Sequence, residues 1–312
     1  MLSRAADSLY WMARYIERAE NMARILDVTY RMSLLPTHEG QEQQWQPALI
    51  IAGADKPFAA RKLQAEAHNV IKFMALDPEN PSSIYSCMRA ARENAHAMRA
   101  QITTEMWESL NATWLEMRDQ DYAKLVATGF RGFFDWVKDR SHTFRGVAYG
   151  TMQRDEAFRF VRVGTFLERA DSTARILDVK YHVLLPSVTD VGGAVDYYQW
   201  AALLRSVSGF RAYRKIYRNV IVPKRVAELL ILRDDMPRSL LACFTELTEN
   251  LVGLRELYRR DYESTRLALE VHSKLKFARM EDIFTQGLHE YLTEFIDRNV
   301  ALGQAIHRDF MK

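Results

Sequence analysis

Residues 17–30 read ERAENMARILDVTY and residues 168–181 read ERADSTARILDVKY, at an offset of 151. Ten of these fourteen positions are identical, far more than shared helical patterning produces by chance. Both segments then run into Leu-Leu-Pro, at 34–36 and at 184–186. Further along, Pro81, Ser83, Cys87, Glu93, Asn94 and Arg99 meet Pro237, Ser239, Cys243, Glu249, Asn250 and Arg255 at offset 156, and Trp45 meets Trp200 at offset 155. The period is that of a domain-scale tandem duplication rather than of a solenoid of short repeats. The drift in offset is expected to fall in loops.

The quoted stretch also decides secondary structure. Leu9, Met12, Ala13, Ile16, Ala19, Ala23, Leu26 and Tyr30 recur at the spacing of an apolar helical stripe. Helix is therefore expected over roughly 4–34 and over its copy at roughly 154–184, each stopped before a proline. Further helices are expected after Pro57, Pro81, Pro223 and Pro237, with Pro81-Ser82-Ser83 and Pro237-Arg238-Ser239 reading as entries in which serine caps free amides. Loops are expected near 36–46, 77–82, 140–152 and 186–196, where Pro, Gly, Asn, Asp and Ser gather. Nothing alternates with period two for long enough to form a strand. The fold class is all-α: one helical bundle domain over 1–312, built from two tandem pseudo-symmetric repeats at about 1–150 and 151–312, with the long first helices in contact.

Composition bounds function less sharply. The 312 residues are 48% hydrophobic, enough for a sizeable core, and a net charge of +3 is too small a bias to imply nucleic acid or an anionic membrane. Two cysteines in no metal-ligating spacing point to a reducing compartment. The N-terminus lacks the uninterrupted apolar core of a secretory signal, and no stretch of about 18 apolar residues appears, so a cytoplasmic protein is expected.

Candidate chemistry lies first in the repeated acidic segment. Glu17 and Glu20, and likewise Glu168 and Asp171, stand one turn apart on helices. One reading is a salt-bridge ladder, Glu20 with Arg24 and Asp27 with Arg31 or with a neighbouring helix. The other is a carboxylate cluster at the repeat interface that binds a metal or a cationic substrate group. A di-metal bundle wants two Glu-x-x-His elements; Glu93 and His96 supply one, whereas the copy reads Glu249-Asn250-Leu251-Val252. No metal site and no cofactor are expected. There is no Gly-x-Ser-x-Gly elbow and no phosphate-cradling glycine loop. Cys87 and Cys243 read as small core residues.

One asymmetry separates the copies. From Tyr197 to Ala227 there is no acid, while Arg205, Arg211, Arg214, Lys215, Arg218, Lys224 and Arg225 interleave with aromatics that include Tyr213 and Tyr217. The corresponding stretch of the first copy holds Asp55 and Glu66. This run reads either as a solvated face balancing acidic neighbours or as a surface for an anionic protein or peptide segment, nucleic acid being a weaker fit.

At SRAADSLYWMARYIERAENMAR (3–24), NPSSIYSCMRAARENAHAMR (80–99), EMWESLN (105–111), RDEAFRFVRVGTFLERADSTARILD (154–178), FRAYRKIY (210–217) and MPRSLLACF (236–244), the sequence resembles the bacterial alpha-E domain family. Thr165 stands where family members often carry a second arginine. The resemblance implies an all-helical protein encoded beside, or fused to, an ATP-grasp-type ligase-like protein and a transglutaminase-like peptidase. Two functions follow as expectations: a non-catalytic binding or scaffold subunit of such a peptide ligation or processing system, or an enzyme with a carboxylate-lined site at the repeat interface. The absence of a complete catalytic motif favours the first.

Overall fold

In the computed structural model, which describes residues 1–34, 41–183, 194–218 and 220–311, every regular element among the described residues is a helix. The first half runs α1 (Ser3–Ser33), α2 (Gln41–Ile51), α3 (Asp55–Ala59), α4 (Ala67–Ile71) with a π-helical continuation (Lys72–Leu76), α5 (Ile84–Ala97), α6 (Thr104–Arg118), α7 (Tyr122–Thr128) and α8 (Phe130–Thr151). The second runs α9 (Glu156–Val183), α10 (Ala194–Ser206), α11 (Phe210–Tyr217), α12 (Pro223–Ile231), α13 (Leu240–Tyr258), α14 (Glu263–Phe277), α15 (Met280–Gln286) and α16 (Leu288–Phe310). Long and short helices follow one another in a similar order in the two halves.

The two long helices α1 and α9 form the centre and pack along each other. α5 and α8 lie against α1, and α13 and α16 lie against α9. The apolar stripe explains this: Leu9, Met12, Ala13, Ile16, Ala19, Ala23 and Leu26 are all buried, and full burial of one leucine-sized side chain is worth about 1.5–3 kcal/mol. A Cβ at Gly164 would lie 2.3 Å from the Tyr10 carbonyl oxygen. At this crossing α1 and α9 therefore approach to a backbone contact that glycine alone permits.

The helix entries are local chemistry. Ser83 Oγ accepts from the Ser86 amide at 3.1 Å, and Ser239 Oγ accepts from the Ala242 amide at 3.0 Å, so both Pro-x-Ser entries cap their helices as expected. Gly129 and Gly287 stand just before α8 and α16 with φ of 84° and 104°, a backbone that L side chains rarely adopt. Among the described residues, no helix is long and apolar enough to cross a membrane.

Three expectations change. The loop expected at 140–152 is absent, because α8 continues to Thr151. Gly146 and Gly150 mislead here, since they sit on the exposed side while Val137, Phe144 and Ala148 are buried at helical spacing; packing outweighs the roughly 1 kcal/mol that a mid-helix glycine costs. α3 begins two residues before Pro57 rather than after it. The expected loops at 36–46 and 186–196 fall partly outside the described residues, and α2 and α10 already begin at Gln41 and Ala194.

Candidate functional site

The acidic segments of α1 and α9 face each other and exchange partners. Arg169 on α9 forks onto Glu17 on α1, with Nε to Oε1 at 3.0 Å and Nη2 to Oε2 at 2.9 Å. In return Arg18 on α1 forks onto Glu168 on α9, with Nε to Oε1 at 2.6 Å and Nη2 to Oε2 at 3.1 Å. Each Glu-Arg dipeptide thus gives its glutamate to the other's arginine. Arg14 adds a bond to Glu168 Oε2 at 2.7 Å and stacks its guanidinium 4.5 Å from the Trp11 ring. Planar bidentate pairs of this kind fix both distance and rotation between helices.

On the Glu17 side the charges are sealed. Glu17 and Glu20 are 1% and 0% exposed. Arg238, from the turn before α13, reaches Glu20 at 2.5 Å, Glu17 at 3.1 Å and the Asn21 side-chain oxygen at 2.9 Å. Arg145 on α8 bonds Glu17 at 2.9 Å and also Glu20, and Ser141 donates to Glu20 at 2.7 Å. Arg24 closes the set from the same helix with Nε at 2.8 Å from Glu20, and His142 stands 3.5 Å from that carboxylate. Burial by itself would raise the Glu17 carboxyl, but Arg169, Arg238 and Arg145 outweigh it and hold the group at about 2. Burial acts likewise on Glu20, where Arg238, the His142 bond, Arg145 and Arg24 keep it well below the usual carboxylate range. Glu168 is held at about 2 against burial by Arg18 and Arg14.

The ladder read from the sequence is present: besides Glu20 with Arg24, Asp27 takes Arg31 at 2.8 Å and Asp171 takes Arg175 at 2.7 Å. Lys138 adds a bond to Asp27 at 3.0 Å. Glu20 is buried outright, because α8 and the Arg238 turn cover it. Asp171 is half-buried. Among the described residues no group of three or more His, Cys, Asp or Glu stands close enough to share a metal ion. His96 lies instead beside the Trp107 ring, 5.5 Å between centroids. Cys87 and Cys243 are buried, their thiols aimed at the Pro81 and Pro237 carbonyls at 3.9 Å, and burial pushes both up to about 12, which keeps them in the thiol form.

The Glu168 side is open. A cleft of about 910 Å³ lies between α1, α9 and α16, lined at its polar end by Arg14, Arg18, Glu168, Asp171, Arg175 and Arg308. Counted from the capping glycines, Gly303 on α16 occupies the place that Arg145 holds on α8, and Asn299 the place of Ser141. Ser82 in Pro81-Ser82-Ser83 occupies the place of Arg238. Gly303, Asn299 and Ser82 all line the cleft. Two arginines that fill the space over Glu17 and Glu20 are thus replaced by a glycine and a serine, and the space stays empty of side chains.

The basic stretch is divided by the fold. Arg211, Arg214, Lys215 and Arg218 are exposed on or just after α11, and Arg225 is exposed on α12 with its guanidinium 5.8 Å from the Tyr217 ring. Arg205 is exposed and stacks on Phe210 at 4.5 Å. Lys224 is partly neutralised by Glu281 at 2.7 Å. Tyr213 departs from its expected place on the surface: it is fully buried, its hydroxyl donating to the Val220 carbonyl at 2.9 Å and accepting from the Val222 amide at 2.8 Å. The Tyr213 ring anchors the turn after α11, and only the half-buried Tyr217, 5.0 Å away between centroids, remains for an apolar contact.

Sequence reasoning missed Arg14, Arg145, Arg238, Asn21 and Asn299. For Arg238 a signal existed in its mismatch with Ser82 inside otherwise matching Pro-x-Ser entries. Arg145 lies more than 120 residues from its carboxylates in sequence, so spacing rules for helices do not reach it.

The uncharacterized proteins Rv2567 of Mycobacterium tuberculosis and Mb2597 of Mycobacterium bovis are each 23% identical to this chain over 325 residues, a stretch that covers 94% of the chain and 35% of the relative. The chain therefore spans about a third of the length of these relatives. No solved structure matches it. The family described as a predicted alpha-helical domain with a conserved ER motif matches residues 1–311. Glu17-Arg18 and Glu168-Arg169 are the Glu-Arg dipeptides that interlock α1 with α9, and the chain belongs to the Alpha-E family.

Proposed function

We propose that this chain is a non-catalytic binding or scaffold subunit of a cytoplasmic peptide ligation or processing system, acting with an ATP-grasp-type ligase-like protein, a transglutaminase-like peptidase, or both. One observation carries the reading: all four carboxylates of the repeated acidic segments are held in ion pairs with arginines. A general base works best with an acidity near the operating pH. A carboxylate held at about 2, as Glu17 and Glu168 are, is a poor one. Buried free thiols at Cys87 and Cys243 suit a reducing compartment. The relatives' extra length supports a role as one part of a larger assembly.

The partner-facing surface in this reading is α11 and its flank. Arg211, Arg214, Lys215, Arg218 and Arg225 raise the local potential, and an acidic segment of the partner would be steered to them in a salt-dependent way. Tyr217 supplies the apolar edge. The test is a pull-down of the ligase-like or peptidase-like neighbour with wild type and with Arg211→Glu, Arg214→Glu and Arg218→Glu combined, after circular dichroism shows the variant folded. Loss of the neighbour from the variant is expected. Undiminished capture rejects the surface.

A further inference from the structure

The turns that end α2 and α10 make the same hydrogen bonds. Gly53 donates to the Ile50 carbonyl at 2.9 Å and Ala54 to the Leu49 carbonyl at 2.8 Å. Ser208 donates to the Arg205 carbonyl at 3.0 Å and Gly209 to the Leu204 carbonyl at 2.7 Å. Each turn holds one residue in the left-handed region, Gly53 at φ 62° and Ser208 at φ 57°. Glycine adopts that backbone freely and serine rarely does, so the turn itself gives no reason for Ser208. At the matched positions Ile50, Ile51 and Gly53 give way to Arg205, Ser206 and Ser208. Counted from Gly129 and Gly287, Lys138 and His142 on α8 likewise stand where α16 has Ile296 and Val300. All five polar residues line one cleft of about 350 Å³ between α1, α8 and the end of α10.

The cleft is cationic and has spare donors. Its lining carries four cations, Arg24, Arg31, Lys138 and Arg205, against Asp27 and Asp139, an excess of two positive charges. Arg31 and Lys138 are held by Asp27, and Arg24 by Glu20, so these three set the potential rather than make the contacts. Arg205 differs: it is exposed, stacks on Phe210 at 4.5 Å and meets no carboxylate among the described residues. The Ser208 hydroxyl accepts from Arg24 Nη1 at 2.7 Å, and an arginine can only donate, so the hydroxyl's own hydrogen is left to give. His142, half exposed, turns Nε2 to Arg24 at 3.3 Å and to Glu20 at 3.5 Å, which leaves its Nδ1 edge for the cleft. Behind Arg24, itself 6% exposed, the sealed cluster sets Arg24, Arg145, Arg169 and Arg238 against only Glu17 and Glu20. That buried surplus of positive charge adds to the field at the cleft wall.

We propose that this cleft binds a phosphate group, either orthophosphate or a small phosphomonoester, with Arg205 and Ser208 donating to its oxygens and Lys138, Arg31 and His142 around it. The charge matches, since a phosphomonoester carries about −1.5 to −2 at pH 7 against the lining's excess of two. A carboxylate brings a single charge and two oxygens in one plane, whereas these groups come from α8, α10 and the turn after it. Val28 is the one apolar residue of the ten in the lining, so there is no wall for an acyl chain or a bulky side chain. The volume stands at the low end for small-ligand sites. The proposal goes beyond the α11 reading, because Arg211, Arg214 and Arg218 do not line this cleft.

The test is titration calorimetry of the whole chain at physiological salt with orthophosphate, methyl phosphate and acetate. At least one phosphate should bind with a Kd of about 1 mM or tighter, and acetate about tenfold more weakly or worse. Whichever phosphate binds more tightly tells whether the free ion or an ester is the ligand. Arg205→Gln should weaken that phosphate about tenfold, the worth of one charge-assisted contact. Ser208→Gly, which gives this turn the residue that Gly53 supplies in the other, should weaken it about threefold. Both positions are exposed, and circular dichroism should show both variants folded. Arg308→Gln, in the larger cleft between α1, α9 and α16, should leave phosphate binding unchanged. Absence of phosphate binding at that level, acetate binding as tightly, undiminished binding by Arg205→Gln or Ser208→Gly, or an equal loss in Arg308→Gln would each overturn the proposal.

Discussion

Arg238→Ala removes one of the two side chains, Arg145 being the other, that touch both glutamates of the first acidic segment. Arg238 is 7% exposed and bonds Glu20, Glu17 and Asn21 together. Removing one partner of a buried ion pair costs about 3–5 kcal/mol, because the remaining charge stays out of water. Glu20 keeps Arg24 and Arg145, and Glu17 keeps Arg169 and Arg145, so the lower end, about 3 kcal/mol, is expected. At about 2.1 cal/mol/K of unfolding entropy per residue, each kcal/mol lowers the Tm of a chain of this size by about 1.5 °C, which gives a fall of roughly 5 °C. Arg238→Met, which keeps the packed stem but not the charge, should recover only part of it. The assay is differential scanning calorimetry with circular dichroism, with Arg211→Ala on the surface as a control expected within about 0.5 kcal/mol of wild type. An Arg238→Ala variant that melts within about 2 °C of wild type would refute the claim that these charges are sealed and mutually dependent.

Acid should unfold the chain through the same carboxylates. Glu17 and Glu168 are held at about 2 in the folded state against an ordinary value of 4.5. Their folded acidity is depressed, so the stability they contribute is fully present above pH about 4.5 and is lost as pH falls towards 2, at roughly 3 kcal/mol for each group. Denaturant titrations at falling pH should show this slope, and Glu168→Gln should lose the part that Glu168 contributes while Glu17 keeps its own. Gly164→Ala should destabilise by about 2 kcal/mol or more, since the new Cβ would stand 2.3 Å from the Tyr10 carbonyl oxygen and the backbones must part; a melting curve superimposable on wild type contradicts the close crossing of α1 and α9.

How much of this was legible in the sequence depends on range. The long helices, the serine caps and the three i to i+4 pairs, Glu20–Arg24, Asp27–Arg31 and Asp171–Arg175, follow from spacing on one helix and stand in the structure, while Pro36 and Pro186 lie outside the described residues. The exchange of Glu17 and Glu168 between Arg169 and Arg18 depends on which faces of two helices meet, and a stripe of apolar residues tells that α1 is covered but not by what. Arg145 and Arg238 come from other elements altogether. Tyr213 was misread because an aromatic amid basic residues looks like a contact surface, whereas the two hydrogen bonds of its hydroxyl are invisible until the turn after α11 closes over it. The cleft was hidden for the opposite reason: it arises from what Ser82 and Gly303 lack, and absence of a side chain acquires meaning only beside Arg238 and Arg145 in the other half.

The central claim is that this chain binds a partner and performs no chemistry with its buried carboxylates. The most direct measurement is the affinity of the purified ligase-like or peptidase-like neighbour for wild type and for the folded Arg211→Glu, Arg214→Glu, Arg218→Glu variant, by calorimetry at low and at physiological salt. The account predicts binding by wild type that weakens with salt and falls at least tenfold in the variant. Equal affinity in both proteins, with no dependence on salt, would contradict it.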